Sequence, residues 1–518
     1  MKEKPNIIFI FSDQHNPEYT GMYPGSIVRT PNLDRLAGEG VNLTNCYCPS
    51  PVCVPSRACM LTSTYPQDMG MFLNDQVMPS GWPTIAHSLG AVGYETVLDG
   101  RMHFIGPDQR HGFEKRFVGD FTWQYPGGRE KNHNMRWDES PNITYGPNRR
   151  SVSVSGAGNT CALEYDSVVR DTAIKYLQER TDERPLFMVI GFFGPHNPFI
   201  GPKKYYDYYY ERVCVPKVTD EMRAALHPTT RTQMNIMGLD DITEEDVRRC
   251  KAAYCSMVQK MDDDIGSILD TVYRTLGEEN TVIIYASDHG ELMGDKGLFY
   301  KFAMYEGSST VPMIFKWKGR FKAGTELKNI ANIVDIPPTL IDLAGGIPLP
   351  YARGISLLEN LYTGLEIDEE RTTCSQIAWG KLIFSGSQYQ IKNVKTNYKD
   401  AASFGADEPK DSLMAMLRWR EYKLIMHGLK EDEDYELFDL KKDPEEVNNV
   451  ANNPSYTEIL QYMVRELLKV WDPEHNLKLI LRDKKCLDVL QKWYEAVGDG
   501  LEEEVWVPEN PVGINYLD

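Results

Sequence analysis

The sequence predicts an α/β fold: a large mixed, mostly parallel sheet sandwiched by helices, with a smaller C-terminal α+β domain that carries a short antiparallel sheet. Three observations support this prediction. Four short apolar segments have the near-continuous hydrophobic character of strands that are buried on both faces. Helical patterns alternate with these segments along the chain. Beyond residue 365 the pattern changes to paired strands followed by helices, so we predict a large α/β domain at 1–365 and a C-terminal domain at 366–518.

Each of the four apolar segments ends in a polar cluster. The predicted strands are Ile7–Phe11, Tyr94–Leu98, Leu186–Phe193 and Val282–Ala286, and the clusters are 12–15, 99–103, 194–198 and 287–291. In open α/β sheets, ligands bind beyond the carboxyl ends of the strands. One such cluster alone would be an ordinary polar loop. Four clusters, each with an Asp, His or Arg, favour convergence on a common site.

The predicted helices lie between these strands, at 32–40, 84–90, 161–179 and 243–276. In the C-terminal region, Arg418–Ile425 and Tyr435–Leu440 are predicted strands with an acidic turn between them, and helices are predicted at 456–470 and 487–497. The tail, 498–518, is acidic and contains proline, and no role follows from it.

Composition and charge exclude several classes of function. The chain has 518 residues, 42% of them hydrophobic and 25% charged, which is an ordinary globular balance. Its formal net charge of −19 argues against nucleic acid or an anionic membrane as the main partner. The sequence has neither a membrane-spanning run nor a signal-peptide core, so we expect a cytoplasmic protein. A chain from which a signal had been removed would give the same pattern.

Four of the ten cysteines lie close together, at positions 46, 48, 53 and 59. A zinc site would normally show paired C-x2-C spacing, which is absent here. A disulfide framework is more typical of short secreted chains. We therefore expect most of these cysteines to be small buried hydrophobic residues, with Cys53 as the exception.

The segment Pro51–Thr62 carries the clearest chemical signal. Pro55 is compatible with the first turn of a helix, which would place Cys53 at the helix N-terminus. Backbone N–H groups and the helix dipole attract anions there. Arg57 follows four residues later on the same helical face, so an anion at residue 53 would meet it too.

Here the chain resembles the type I sulfatases of the alkaline phosphatase superfamily, whose signature is C-x-P-S-R followed by an apolar residue and Thr. Cys53-Val54-Pro55-Ser56-Arg57, with Leu61-Thr62 downstream, matches that signature. The resemblance implies an alkaline phosphatase-like fold and the conversion of Cys53 to Cα-formylglycine by a maturation enzyme.

The resemblance extends over about residues 5 to 450. The other matching segments are Asn6–Gln14, Thr30–Ala37, Gly100–His103, Pro195–Pro198, Asp288–Gly290, Lys301, Tyr435–Asp439, Asp443–Glu445 and Asn448. It implies a divalent metal held by Asp13, Gln14, Asp288, His289 and an oxygen of residue 53. Oxygen ligands favour Ca²⁺, whereas a histidine ligand tolerates Mn²⁺, and Mg²⁺ is a further alternative.

The family resemblance also implies catalytic roles. Hydrated formylglycine supplies a geminal diol, in which one hydroxyl attacks sulfur and the other later expels sulfate. Arg57, Arg101 and Lys301 would form a cationic clamp. His103 would orient the diol or take its proton, and His196, alone or with Lys301, would protonate the leaving oxygen.

Three departures from the family pattern leave a rival open. Arg101 replaces the usual lysine, Gln14 replaces a common aspartate, and His289 stands where asparagine is frequent. Because Asp-Gln and Asp-His pairs also occur in phosphonate monoester and phosphodiester hydrolases of the superfamily, such an enzyme is the alternative. A non-catalytic binding protein in which Cys53 stays a thiol is a third possibility.

The substrate is predicted only by class, as a sulfated carbohydrate or another small sulfate ester. The long polar stretch 121–158 is either a substrate loop, suited to sugars by stacking and ion pairing, or an ordered surface loop. Asn74 and Asp75 are candidate rim residues. The aromatic and basic residues of the stretch are Trp123, Tyr125, His133, Arg136, Trp137, Arg149 and Arg150.

Overall fold

A computed structural model of the chain describes residues 4–120, 147–378, 410 and 413–497. The strands are β1 (Asn6–Ser12), β2 (Val41–Leu43), β3 (Cys46–Tyr47), β4 (Glu95–Gly100), β5 (Lys115–Arg116), β6 (Gly156–Ala157), β7 (Leu186–Gly191), β8 (Ile200–Gly201), β9 (Thr281–Ser287), β10 (Met313–Trp317), β11 (Thr325–Leu327), β12 (Ala331–Asn332), β13 (Thr372–Ala378), β14 (Leu413–Trp419), β15 (Tyr422–His427) and β16 (Asp434–Asp439). The α-helices are α1 (Pro31–Gly38), α2 (Cys53–Thr62), α3 (Pro66–Met69), α4 (Ile85–Gly90), α5 (Arg149–Ser153), α6 (Cys161–Glu179), α7 (Lys203–Tyr210), α8 (Asp220–Ala225), α9 (Pro228–Met237), α10 (Glu244–Leu276), α11 (Glu306–Ser309), α12 (Ile336–Ala344), α13 (Leu358–Thr363), α14 (Thr457–Leu467) and α15 (Pro473–Val497).

The large sheet confirms the predicted fold class. Within the described residues its strand order is β11-β2-β10-β9-β1-β7-β4-β5. The central strands β9, β1, β7 and β4 run parallel, and β10 is antiparallel to β9 and β2. The four apolar segments of the sequence are therefore neighbours in space, and their carboxyl ends meet at one edge of the sheet.

Alternation of side chains along β1 explains why helices cover both faces of the sheet. Ile7, Phe9 and Phe11 pack into a core with α4 and α12. Ile8 and Ile10 point the other way, into a core with α1, α6 and α10. Burial on both faces accounts for the continuous apolar run.

The C-terminal domain carries an antiparallel sheet in the order β13-β14-β15-β16, and α14 packs against it. The prediction of one strand over Arg418–Ile425 is wrong. The chain reverses between β14 and β15, where Arg420 has φ 47°. The apolar pattern continues through this tight hairpin without a Gly or Pro signal, which explains the error. The helix predicted at 487–497 is the last part of α15.

The domain boundary near residue 366 stays a prediction, and the acidic tail lies outside the described residues. Within the part of the chain that the structure describes, no helix combines the length and apolar character needed to cross a membrane.

Candidate active site

The four polar clusters converge at the carboxyl edge of the large sheet, as the sequence predicts. β1 leads into Asp13 and β9 leads into Asp288 and His289. Cys53 reaches the same point from α2. One ligand atom from each of these four buried residues lies within 4.8 Å of the others.

Cys53 is the first residue of α2, and only 1% of its surface is exposed. Its Sγ lies 3.2 Å from Nε2 of His289 and 3.9 Å from Oδ1 of Asp13. In the converted residue, an oxygen would take the place of this sulfur. The helix N-terminus is further shaped by Asn74, whose Oδ1 accepts a hydrogen bond from the Val54 amide at 3.0 Å. The helix dipole therefore favours negative charge at residue 53.

A tight turn after β1 brings two metal-ligand candidates together. Gln14 has φ 66°, in the left-handed region, and the chain bends immediately after β1, at Asp13 and Gln14. The amides of Gln14 and His289 donate to Oδ1 of Asp288 at 3.0 and 2.9 Å. These bonds fix the Asp288 carboxylate next to Asp13.

Arg57 holds both carboxylates from behind. Its Nε donates to Oδ2 of Asp288 at 2.8 Å, and its Nη2 donates to Oδ2 of Asp13 at 3.1 Å. Burial alone would raise the pKa of Asp13, but nearby positive charges, led by Arg101 and including Arg57, hold that pKa well below its usual range. Asp13 is therefore an anion at neutral pH.

The donor set fits a divalent cation. Nδ1 of His289 faces the carbonyl oxygen of Gly290 at 3.0 Å, so Nδ1 carries the ring proton. The Nε2 lone pair then points toward Cys53, 3.8 Å from Asp13 Oδ1 and 3.6 Å from Asp288 Oδ1. A histidine whose second nitrogen is fixed by a carbonyl is the usual arrangement of a metal ligand.

The Gln14 side chain bonds two buried charged residues beside this group of ligand atoms. Its Oε1 accepts from Lys301 Nζ at 2.5 Å, and its Nε2 donates to Glu291. Glu291 was not predicted as a site residue, although it belongs to the fourth polar cluster. It accepts from the amides of Met293 and Tyr300, and burial raises its pKa to about 7. Together these contacts fix which way the Gln14 amide faces.

Arg101 and His103 lie together beside Asp13 and form another wall of the site. Arg101 Nε donates to Asp13 Oδ2 at 2.5 Å, and its Nη2 lies 2.9 Å from Nδ1 of His103. Asp120 was missed by the sequence reasoning. Its Oδ1 accepts from Arg101 Nη1 at 2.9 Å, and its Oδ2 accepts from the amides of Met102 and His103. It follows β5 without any motif or spacing that would have identified it.

His196 lies at the partly exposed side of the site. Its Nδ1 faces the Asn197 carbonyl oxygen at 2.7 Å. Asp166 supports the preceding turn by accepting from the Phe193 and Gly194 amides at 2.7 and 2.8 Å. Desolvation and then the charge of Lys301 lower the pKa of His196 well below its usual value, so the ring is neutral in the free protein.

Most of the residues predicted to recognise the substrate are not among those that the structure describes. Trp123, Tyr125, His133, Arg136 and Trp137 lie outside them. Arg149 begins α5 and pairs with Asp241 and Asp246 at 2.9 and 3.3 Å, and Arg150 follows it in the helix. Asn74 contacts the start of α2, as described above, and Asp75 is buried.

Comparisons with known proteins agree with this geometry. The family model described as Sulfatase matches residues 5–347, and a model described as N-sulphoglucosamine sulphohydrolase, C-terminal, matches residues 405–472. The chain is 32% identical to the choline-sulfatase of Rhizobium meliloti (strain 1021) over 473 residues, 87% of this chain and 83% of that protein. It is 24% identical to the N-acetylglucosamine-6-O-sulfatase of Bacteroides thetaiotaomicron over 553 aligned positions, covering 94% and 90% of the two chains.

Solved structures show the same fold. A protein in complex with its substrate D-glucosamine-2-N,6-O-disulfate superposes with a TM-score of 0.68 at 20% identity, covering 92% of this chain and 98% of that one. The phosphonate monoester hydrolase of Agrobacterium radiobacter gives 0.72 at 22% identity, covering 90% and 95%. On the length of the family match and the identity to choline-sulfatase, this chain belongs to the sulfatase family of the alkaline phosphatase superfamily and is a sulfuric ester hydrolase.

Proposed function

We propose that this chain hydrolyses the sulfate ester of a carbohydrate or another small organic molecule, with residue 53 as the nucleophile after a maturation enzyme has converted it to formylglycine. The convergence of Asp13, Cys53, Asp288 and His289 within 4.8 Å at the N-terminus of α2 carries this proposal. Relatives named for choline, aryl and N-acetylglucosamine 6-O-sulfates support the substrate class.

The ligand set proposed for the cation is Asp13, Gln14, Asp288, His289 and an oxygen of residue 53, which favours Ca²⁺ over Mn²⁺ or Mg²⁺. A bound cation would stabilise negative oxygen and lower the pKa of a hydroxyl at residue 53. The hydrated aldehyde would supply a geminal diol, in which one hydroxyl displaces the alcohol from sulfur and the other releases sulfate.

Fixed positive charges prepare the pocket for an anionic ester. Arg57 is anchored on Asp13 and Asp288, so it contributes charge and holds the carboxylates in place. Arg101 adds a second guanidinium on Asp13. Lys301, only 4% exposed, donates to Gln14 from the opposite side. Preorganised charges of this kind stabilise the charge that develops on the SO₃ group without reorganisation during the reaction.

The leaving oxygen needs a proton, and two groups are placed to give it. Lys301 has its N–H donors at Nζ, which bonds Oε1 of Gln14. His196 uses Nδ1–H on a carbonyl, so its Nε2 must first gain a proton before it can act as an acid. The negative charge of a bound sulfate ester favours that proton, because an opposite charge stabilises an imidazolium.

A substrate panel tests the proposal against its rival. The panel contains choline sulfate, N-acetylglucosamine 6-sulfate and an aryl sulfate, set against an aryl phosphonate and a phosphodiester. We expect turnover of at least one sulfate ester with a kcat/KM above that of both phosphorus substrates. A clear preference for phosphorus would establish the phosphonate or diester hydrolase instead.

Cys53→Ala provides the blank. We expect it to lower kcat by on the order of 10⁴-fold or more, because it removes the nucleophile. Cys59→Ala is the matched control: Cys59 is equally buried in α2 but is not part of the described site. Intact mass of the active-site peptide, about 18 Da below the thiol form, verifies the conversion. Full activity with an unmodified thiol would refute the mechanism.

A further inference from the structure

We propose that Asp120 is a positioning residue, which holds Arg101 so that His103 keeps its ring proton on Nε2 and presents that N–H to residue 53. The inference rests on the proposed function, because it assigns His103 one of two roles around the same nucleophile. In this role His103 donates a hydrogen bond to the oxygen of residue 53. In the alternative role it would accept the proton of the residue 53 hydroxyl.

Asp120 anchors both the side chain and the backbone of this wall. Its carboxylate side chain is fully buried. One oxygen accepts from the Arg101 guanidinium at 2.9 Å, and the other accepts from the amides of Met102 and His103. His103 itself has φ 58°, in the left-handed region that a non-glycine residue rarely adopts. The two hydrogen bonds that the Met102 and His103 amides donate to Asp120 stabilise this turn and aim the His103 ring toward the site.

Arg101 then fixes the tautomer of His103. The guanidinium donates through Nε to Asp13, through Nη1 to Asp120 and through Nη2 to Nδ1 of His103, at 2.5, 2.9 and 2.9 Å. A guanidinium has donors only, so Nδ1 of His103 must be the acceptor in this bond. The single proton of the neutral imidazole therefore lies on Nε2.

Because Arg101 occupies Nδ1, Nε2 is the ring nitrogen that remains for residue 53. Burial and Arg101 lower the pKa of His103, and Cys53 lies close enough to the ring to oppose that shift. The other two histidines of the site have the opposite arrangement. Nδ1 of His289 and Nδ1 of His196 each face a carbonyl oxygen, which leaves their Nε2 atoms as acceptors. His103 thus supplies a donor where the other two present lone pairs.

Arginine at position 101 is essential to this arrangement. Its planar fork reaches Asp13, Asp120 and His103 at once, whereas the single ammonium nitrogen of the lysine usual in the family could not occupy all three positions. The replacement of the usual lysine by Arg101 is thereby linked to Asp120, whose carboxylate orients Nη1 of the guanidinium and balances its charge.

The tautomer can be observed directly by ¹⁵N NMR of histidine-labelled protein, with His103→Gln used to assign the His103 signals. We expect Nε2 protonated and Nδ1 unprotonated in the wild type at neutral pH. In Asp120→Asn, the released Arg101 should allow both tautomers. A wild-type His103 protonated at Nδ1 would overturn the inference, and this measurement does not require turnover.

Kinetics give the second test. With the converted fraction of residue 53 measured by mass, Asp120→Asn should lower kcat by about 10–100-fold and change KM by less than about twofold, as supporting residues of a site commonly do. Glu95→Gln is the matched control, because Glu95 is a fully buried carboxylate at the opposite end of β4 that pairs with Arg180 and Lys115. It should lower stability but leave kcat unchanged.

A double variant separates positioning from a general structural effect. If Asp120 acts through His103, adding Asp120→Asn to His103→Gln should cause no further loss of kcat. Additive losses would overturn the inference. A wild-type protein that carries formylglycine but hydrolyses no sulfate ester would instead refute the proposed function, and the NMR result would still decide the role of Asp120.

Discussion

Two groups of buried charges in this molecule have similar composition but different consequences. The catalytic charge cluster consists of Asp13, Arg57, Arg101 and Asp288 at the carboxyl edge of the large sheet. The interdomain charge cluster consists of Tyr47, Glu306, Arg418, Lys423 and Glu446, where the C-terminal sheet meets β3 and α11.

In the interdomain charge cluster the charges face one another. Lys423 is fully buried and lies 2.8 Å from a carboxylate oxygen of both Glu306 and Glu446. The Tyr47 hydroxyl donates to Glu306 at 2.9 Å and accepts from Arg418 at 2.5 Å. The interactions of this cluster are directed inward, so we expect it to stabilise the packing of the C-terminal sheet against β3 and α11.

In the catalytic charge cluster the arginines occupy only one side of the carboxylates. On the other side, Asp13 Oδ1 and His289 Nε2 lie near Cys53 Sγ, and a carboxylate oxygen of Asp288 lies within 4.8 Å of the other ligand atoms. Burial and pairing of charges are therefore not the mark of a functional site by themselves. What distinguishes this site is a set of acceptor atoms that converge on a common point.

The largest expected effect comes from Asp13→Asn in the catalytic charge cluster. It removes one candidate cation ligand and leaves Arg57 and Arg101 with one carboxylate fewer. We expect kcat to fall by about 10³-fold, in the range seen when a preorganised charge is lost, and Ca²⁺ affinity measured by calorimetry to fall with it. Glu446→Gln, a charge removal in the interdomain charge cluster, is the control and should leave Ca²⁺ affinity unchanged. Equal effects of the two variants on Ca²⁺ affinity would contradict the comparison.

The next effect is on stability alone. Lys423→Met leaves the buried carboxylate of Glu446 and the partly buried carboxylate of Glu306 without their shared cation, so the free energy of unfolding should drop by about 3–5 kcal/mol. Urea unfolding followed by circular dichroism measures this drop. The kcat per folded molecule should equal that of the wild type. A loss of kcat without a loss of stability would show that the interdomain charge cluster contributes to catalysis.

The convergence of the side chains at the candidate active site could be predicted from the sequence because two signals coincided. Asp13, Arg101, His196 and Asp288 each follow a strand at the same edge of the sheet, where parallel topology forces convergence. The family motif then placed Cys53 and its helix in register. Both signals depend on local order along the chain, which a sequence displays directly.

Residues that act through the backbone escaped prediction. Asp120 and Glu291 hold the site by accepting amide hydrogen bonds, and such contacts leave no periodicity or spacing. Likewise, the family resemblance points to Glu445 and Asn448, whereas in the structure Glu446 pairs with Lys423 and Asn449 accepts a hydrogen bond from the Leu437 amide. Tertiary partners decide which of two adjacent polar residues turns inward.

The smallest expected effect tests a titration beside the interdomain charge cluster. His427 is buried against Glu436, Asp434 and the stacked ring of His227, at a centroid distance of 3.5 Å. Burial, partly opposed by its hydrogen bond to Glu436, lowers the pKa of His427. The unfolded chain then binds more protons than the native state below about pH 6.5, so stability should decline as the pH falls through that value.

His427→Gln should remove this part of the pH dependence, whereas His475→Gln, at an exposed position in α15, should keep it. The measurement is the urea midpoint at about pH 7.5 and about pH 5.5, a window that lies above the ordinary pKa of carboxylates. We expect the wild-type midpoint to fall by more than that of His427→Gln, and by less than Lys423→Met lowers it at neutral pH. An identical pH dependence in both proteins would mean that His427 gains no proton on unfolding. The acid sensitivity of the interface would then have to come from Glu436, whose pKa is lowered through His427 and whose contribution is lost only at lower pH.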